Sequence, residues 1–347
     1  MRCVVATYIF MQHNCRDIRI PHLLGFRFPD SSAYMSCGSM LSNSFSLYMG
    51  SQQRMNNFLR GLAQVVLCLA RLPQPRIGSY IFHNNGTITL TNRPLTMTIA
   101  LLERDGASRA IEENTTYTSV EPYVTDMLTY HDNRFREQPN AVNDEYDGVN
   151  QMTTSILMRA VAHQYLDRDF REGPFILQLT DMNQSNFLVD DDWNVKALID
   201  LEWICSLPVQ MQGAPHWLTE LEGVDEIEGD ELEKYEYVHQ RFLSILKEEE
   251  ASLPADFLDG LSLADLTKKG WQKGTYWYFQ CLESVNAMYT LFPIHIRSRH
   301  RGEQITKATG QAMSKYWSQD AGKTLIEKVA QKKHYDTDLR TVFVHDA

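Results

Sequence analysis

Apolar positions recur with helical spacing over most of the chain and form strand-like runs at only a few places. Residues 55–72 carry Phe58, Leu59, Leu62, Val65, Val66 and Leu69 one or two turns apart, which predicts an amphipathic helix ended by Pro73 and Pro75. The same spacing predicts a short helix over 4–11 and longer ones over 117–135, 150–170, 230–250, 272–292 and 304–332. In the 150–170 helix, Ile156, Leu157, Ala160, Val161 and Leu166 are the expected buried face. Two β-rich runs flank Asn85-Gly86, a pair that favours a hairpin turn because both residues tolerate positive φ. Residues 22–26 read as a loop leading into a strand, and the serine-rich stretch 30–46 reads as a poor core segment, a loop or disordered. A helix, a hairpin, more helices, a strand cluster at 175–203 and further helices make an α+β chain with a helix-rich main body.

The strand cluster carries the chemistry. Phe175–Leu179 reads as a buried strand that turns polar at Thr180-Asp181. Asn186–Val189 reads as a second strand, Asp190-Asp191-Asp192 as a turn, and Asn194–Ile199 as a third strand with Asp200 at its exit. Such a hairpin brings Asn186 and Asp200 together, with Asp181 on the loop just before. Phosphoryl transfer needs this set: a carboxylate to orient and deprotonate a hydroxyl, and oxygen ligands for the Mg²⁺ that bridges nucleotide phosphates. A plainer account of Asp181 and Asp200, as loop-capping aspartates, is also open at this point.

The segments Thr180-Asp181-Met182-Asn183-Gln184-Ser185-Asn186-Phe187-Leu188-Val189-Asp190 and Ile199-Asp200-Leu201-Glu202-Trp203 resemble those of the aminoglycoside-phosphotransferase-like family, in its filamentous-fungal branch. Pro75–Ser79, Thr91–Leu95, Pro215–Leu218 and Gly270–Phe292 extend the likeness over about residues 4–300. The resemblance implies a protein-kinase-like fold with a truncated N-terminal lobe and a helix-rich C-terminal lobe. Residues 1–50 would be the remnant of the first lobe, 51–335 the catalytic lobe and 336–347 a C-terminal tail. It implies Asp181 as catalytic base, Asn186 and Asp200 as the Mg²⁺ and ATP site, and a small-molecule hydroxyl as acceptor. Glu202 would support the loop around Asp200, and Trp203 and Trp217 would be core or groove-wall aromatics.

The likeness has gaps. The family's His-Gly before the catalytic aspartate is Leu179-Thr180 here, and the histidine after it is Asn183. Val4 stands where the resemblance calls for the glutamate that pairs with the phosphate-binding lysine. The strands bearing that lysine are expected to be missing from this chain, and the strand linking the lobes should fall near 31–48. Two expectations follow beside an active kinase: an impaired pseudokinase that binds a ligand or partner, or an incomplete gene model.

Composition narrows the alternatives. A net charge of −11 disfavours non-specific nucleic-acid binding, which depends on Lys and Arg neutralising phosphates. Part of that charge is the run Glu220–Glu236, expected as a solvated loop and helix face. The longest apolar run, Val65–Ala70, is too short to span a bilayer. Six scattered cysteines without a close pair, and no signal-peptide pattern, suggest a reducing compartment, so a cytoplasmic location is expected. There is no Gly-x-Ser-x-Gly elbow and no His-Glu-x-x-His pair. His295 and His300, beside Arg297, Arg299 and Arg301, read as a solvated basic turn.

Overall fold

The computed structural model describes residues 2–21, 38–300 and 305–344. In chain order these form α1 (Arg2–Asn14), β1 (Ser39–Met40), α2 (Phe45–Tyr48), α3 (Gln52–Ala70), β2 (Ser79–Phe82), β3 (Ile88–Asn92), α4 (Met97–Arg104), α5 (Val120–Glu137) and α6 (Glu145–Tyr165). Then come β4 (Phe175–Leu179), β5 (Phe187–Val189), β6 (Val195–Leu198), β7 (Ile204–Pro208) and α7 (Gly229–Glu250). The chain closes with α8 (Leu263–Lys273), α9 (Thr275–Leu282), α10 (Met288–Leu291), α11 (Lys307–Ser314) and α12 (Ala321–Val344). The protein is α+β, with helices predominating over small antiparallel sheets. No helix of the described residues is long and apolar enough to cross a membrane. Two compact units divide it: Met1–Met97 with Glu113–Val120 and Arg168–Tyr276, and Thr98–Glu112 with Glu121–Asp167 and Trp277–Ala347.

The first unit is organised by α3. Ser51 caps its N-terminus by accepting a hydrogen bond from the Arg54 N–H at 3.5 Å. Its apolar stripe buries Phe58, Leu59 and Leu62 completely, and packs against β4, β6 and α7. Each large side chain removed from water this way contributes about 1.5–3 kcal/mol. A Cβ at Gly61 would lie 2.5 Å from Val195 Cγ2, so the absent side chain is what lets the β5–β6 hairpin lie against the helix. β4 pairs antiparallel with β7, Phe175 opposite Pro208 and Leu179 opposite Ile204. β5 pairs with β6, and β1 adds to the other edge of β5 through Ser39–Val189 and Met40–Leu188. The Asn85-Gly86 hairpin is present as β2–β3, with Gly86 at φ +83° and Asn85 Oδ1 accepting the Thr87 N–H. Phe10 of α1 stacks on Tyr80 of that hairpin at 4.4 Å.

The second unit gathers α5, α6, α11 and α12 around Phe135, Val142, Met152 and Ala321, with Trp317 and Leu325 packed on them. Here the expected face of α6 is corrected. Gln151, Met152, Ser155 and Met158 are buried, while Ala160 is exposed and Ile156, Leu157 and Val161 are only half-buried. Polar residues enter this interior because they find partners. Gln151 donates to Ala141 O, Thr153 to Gly310 O and Ser155 to Asp132 Oδ1. Hydrophobic spacing alone could not register that satisfaction.

Other boundaries also shift. The stretch 272–292 is not one helix. Gly274, at φ +89°, ends α8 by donating to Gly270 O, and α9 begins at the next residue. The stretch 304–332 breaks between α11 and α12. The serine-rich stretch is mostly exposed where it is described, as expected, but Leu41 and Phe45 are fully buried and Trp193 Nε1 donates to Ser44 Oγ at 2.9 Å. The strand expected from 22–26, residues 31–37 and Arg301 lie outside the described residues. His295 is not solvated; it stacks on Trp277 with ring centroids 3.6 Å apart.

Candidate functional site

The site lies wholly in the first unit. β4 ends at Leu179, and the chain is pinned at once: the Thr180 N–H donates to Trp203 O at 3.1 Å and its hydroxyl to the same oxygen at 3.0 Å. Thr180 Oγ in turn accepts the Met97 N–H at 3.1 Å. Asp181 follows, half-buried, on a loop that Asn183 folds into a single 3₁₀ turn. Asn183 Oδ1 accepts the Ser185 N–H, and Asn183 O accepts the Asn186 N–H at 3.0 Å. Thus Asn183 acts as a turn-forming residue.

Asn186 is 4% exposed, and its side-chain orientation is fixed. Its Nδ2 donates to Asp181 O at 2.7 Å, which leaves the amide oxygen as the free acceptor of that side chain. The backbone of Asn186 accepts the Ile199 N–H at 2.9 Å, which sets Asp200 beside it. Asp200 is exposed and adopts φ +55°. A non-glycine residue in the left-handed region is uncommon, although aspartate tolerates it best, and such positions concentrate at functional sites. Burial raises the carboxyl of Asp181 above the usual carboxylate range, and the like charge of Asp200 raises it further. Asp181, Asn186 and Asp200 are therefore brought together as expected.

Other residues shape the site without having been assigned to it. Trp217 Nε1 donates to Met182 O at 2.6 Å, so an indole holds the peptide directly after Asp181. The ring is buried among Phe45, Phe58 and Phe187. The sequence marks Trp217 as a core or groove-wall aromatic, and it is buried, but its hydrogen bond to the Asp181 loop was not anticipated. Glu202 does not brace the loop: among the described residues it has no hydrogen-bond or ion-pair partner, and the carbonyl of Trp203 does the bracing through Thr180. Lys196, the nearest cation in sequence, pairs with Asp190 at 2.8 Å.

The donor set suits a hard cation. Among the described residues no three His, Cys, Asp or Glu side chains gather into a metal cage. Mg²⁺ does not need one, because it keeps several waters and binds through one or two protein oxygens plus substrate phosphates. Asn186 Oδ1 and the Asp200 carboxylate are oxygens of that kind, and Asp181 and Asp200, neighbouring carboxylates without a cation partner among the described residues, make a negative field. No family model, curated protein or solved structure matches the chain.

Proposed function

We propose that this chain is a phosphotransferase of the aminoglycoside-phosphotransferase-like, protein-kinase-like type, which passes the γ-phosphoryl group of ATP to a hydroxyl of a small molecule, in the cytoplasm. The observation that carries this reading is Asn186: its amide donates to the carbonyl of Asp181, and its backbone carbonyl accepts the N–H of Ile199, the residue before Asp200. One residue thereby ties the candidate base to the candidate metal site. Asp181 orients the acceptor hydroxyl and takes its proton as the oxygen–phosphorus bond forms; the bond to the leaving ADP oxygen breaks, and the proton is later released to water. A carboxylate raised by burial and by Asp200 is a stronger base than one in water. Asn186 and Asp200 would hold Mg²⁺, which when bound neutralises charge on the nucleotide phosphates.

A second reading, a pseudokinase that binds nucleotide without turnover, draws on the lack of a basic partner for either carboxylate among the described residues. Phosphoryl-transfer sites ordinarily place cationic groups on the phosphates, each contributing about 10²–10³ in rate. The test is a thermal-shift titration of the purified chain with Mg-ATP, with and without EDTA, followed by a screen of hydroxyl acceptors. A metal-dependent rise in melting temperature, lost in Asp200→Asn, supports the site. Turnover abolished by Asp181→Ala separates a kinase from a pseudokinase. A folded protein that ignores Mg-ATP overturns both.

A further inference from the structure

Away from the candidate site, the first unit holds two thiols from distant parts of the chain side by side. Cys15 follows α1 and Cys68 lies near the end of α3; both are reduced and buried, at 1% and 5% exposed. The Cys15 thiol donates to the carbonyl oxygen of Cys68 at 3.8 Å, across 53 residues of sequence. Cys68, but not Cys15, lines a cavity of about 400 Å³, together with Asp17, Arg19, Gln64, Arg71 and Lys196. Arg71 pairs with Asp17 at 2.9 Å, which places a cation one helical turn from Cys68 and ties the Cys15 loop to the same helix end. The two residues are therefore unequal: Cys68 borders the cavity and Cys15 does not.

We propose that Cys15 and Cys68 are a redox-active dithiol, Cys68 the attacking and Cys15 the resolving thiol, which a low-molecular-weight disulfide such as oxidised glutathione converts to an intramolecular disulfide. Cys68 gives up its proton, and its thiolate attacks one sulfur of the incoming disulfide. A mixed disulfide forms as the sulfur–sulfur bond of the reagent breaks, and one glutathione leaves carrying that proton. Cys15 then loses its proton and attacks the Cys68 sulfur, and the second glutathione leaves with it. The protein is oxidised by two electrons and the reagent is reduced to two thiols. The polarity of the pair agrees with these roles. Its contact with Cys68 and its burial hold the Cys15 thiol well above the ordinary thiol range, while Cys15 and Arg71 lower Cys68 against the opposing effect of burial. Because Cys15 and Cys68 contact each other, oxidation at this pair closes a loop rather than capping a single thiol.

The full reduced chain is incubated with oxidised glutathione under native conditions, quenched with N-ethylmaleimide, digested without reductant and mapped by mass spectrometry. The expected product is a Cys15–Cys68 linked peptide, with Cys205 and Cys281 carrying maleimide. In Cys15→Ser, Cys68 is expected to accumulate as the glutathione mixed disulfide; in Cys68→Ser, Cys15 stays unmodified. Because the wild-type map alone decides the linkage, the test survives a variant that fails to fold. Maleimide on both Cys15 and Cys68 of the wild type, or a stable glutathione adduct on Cys68 without the linked peptide, overturns the proposal. Equal glutathione labelling of Cys15 in folded Cys68→Ser overturns the assignment of roles.

Discussion

Glu283 sits just after α9 in the second unit, half-buried as a residue with its carboxyl as the enclosed part. Tyr123 donates to its Oε1 at 2.8 Å, and Thr98 donates to its backbone carbonyl. Burial pushes the carboxyl from its ordinary 4.5 up to about 7, against a smaller lowering by the tyrosine hydrogen bond. A carboxylate raised in the folded state contributes stability that is fully present below its unfolded value and is lost as the pH rises through its folded one. Between pH 4.5 and about 7, the folded protein holds a proton that the unfolded chain has released. At ~1.4 kcal/mol per pH unit, the loss across that window reaches about 3 kcal/mol. Glu283→Gln keeps the shape and the acceptor for Tyr123 but cannot ionise. Urea unfolding of both proteins, followed by tryptophan fluorescence at steps from pH 4.5 to 8, measures the difference. The two should be nearly equal at the acid end, with the variant more stable by about 3 kcal/mol at pH 8. A difference that does not change with pH refutes the reasoning, because a packing effect alone has no reason to follow a titration.

His239 should show the opposite dependence. Its imidazole is fully buried, stacks on Trp271 at 4.3 Å, and neither ring nitrogen has a hydrogen-bond partner among the described residues; burial lowers it from 6.5 to about 4. Its share of stability is present above pH 6.5 and lost as the pH falls towards 4, so His239→Phe should flatten the acid limb of a melting-temperature profile. Trp217→Phe keeps the aromatic packing but removes the donor to Met182 O, and should cost about 1–3 kcal/mol in urea unfolding and loosen the Asp181 loop; unchanged hydrogen exchange at 181–186 would count against the bracing role. Gly61→Ala should destabilise by about 1–3 kcal/mol, because its Cβ meets Val195, and Val195→Ala in the same chain should restore part of that loss; additive penalties in the double variant would contradict the contact.

Much of the site is local, and that is why it could be read from residues alone. Asp181 and Asn186 lie five positions apart on one turn, and a short hairpin returns the chain to Asp200, so strand alternation and a run of turn-forming aspartates suffice to predict their proximity. The α3 stripe, the Asn85-Gly86 hairpin and the strands before Asp181 and around Asp190 were legible for the same reason, each being decided by neighbours within one element, whereas β7, the strand that pairs with β4, was not anticipated. The protein-kinase-like class and the phosphotransfer chemistry remain the proposal that this local pattern supports.

Tertiary structure decided what sequence periodicity cannot encode. The inward face of α6 is polar because distant acceptors at Ala141, Gly310 and Asp132 take the protons of Gln151, Thr153 and Ser155, although Gln151 Oε1 itself has no partner among the described residues. Phe45 is buried in a serine-rich stretch because Trp193 and Trp217 cover it from far along the chain. Trp217 reaches Met182 across 35 residues, and Cys15 reaches Cys68 across 53. Local spacing fixes which residues share a turn or a face, because backbone geometry sets it; which hydrogen-bond donor meets which distant acceptor depends on packing, and only the folded chain specifies that.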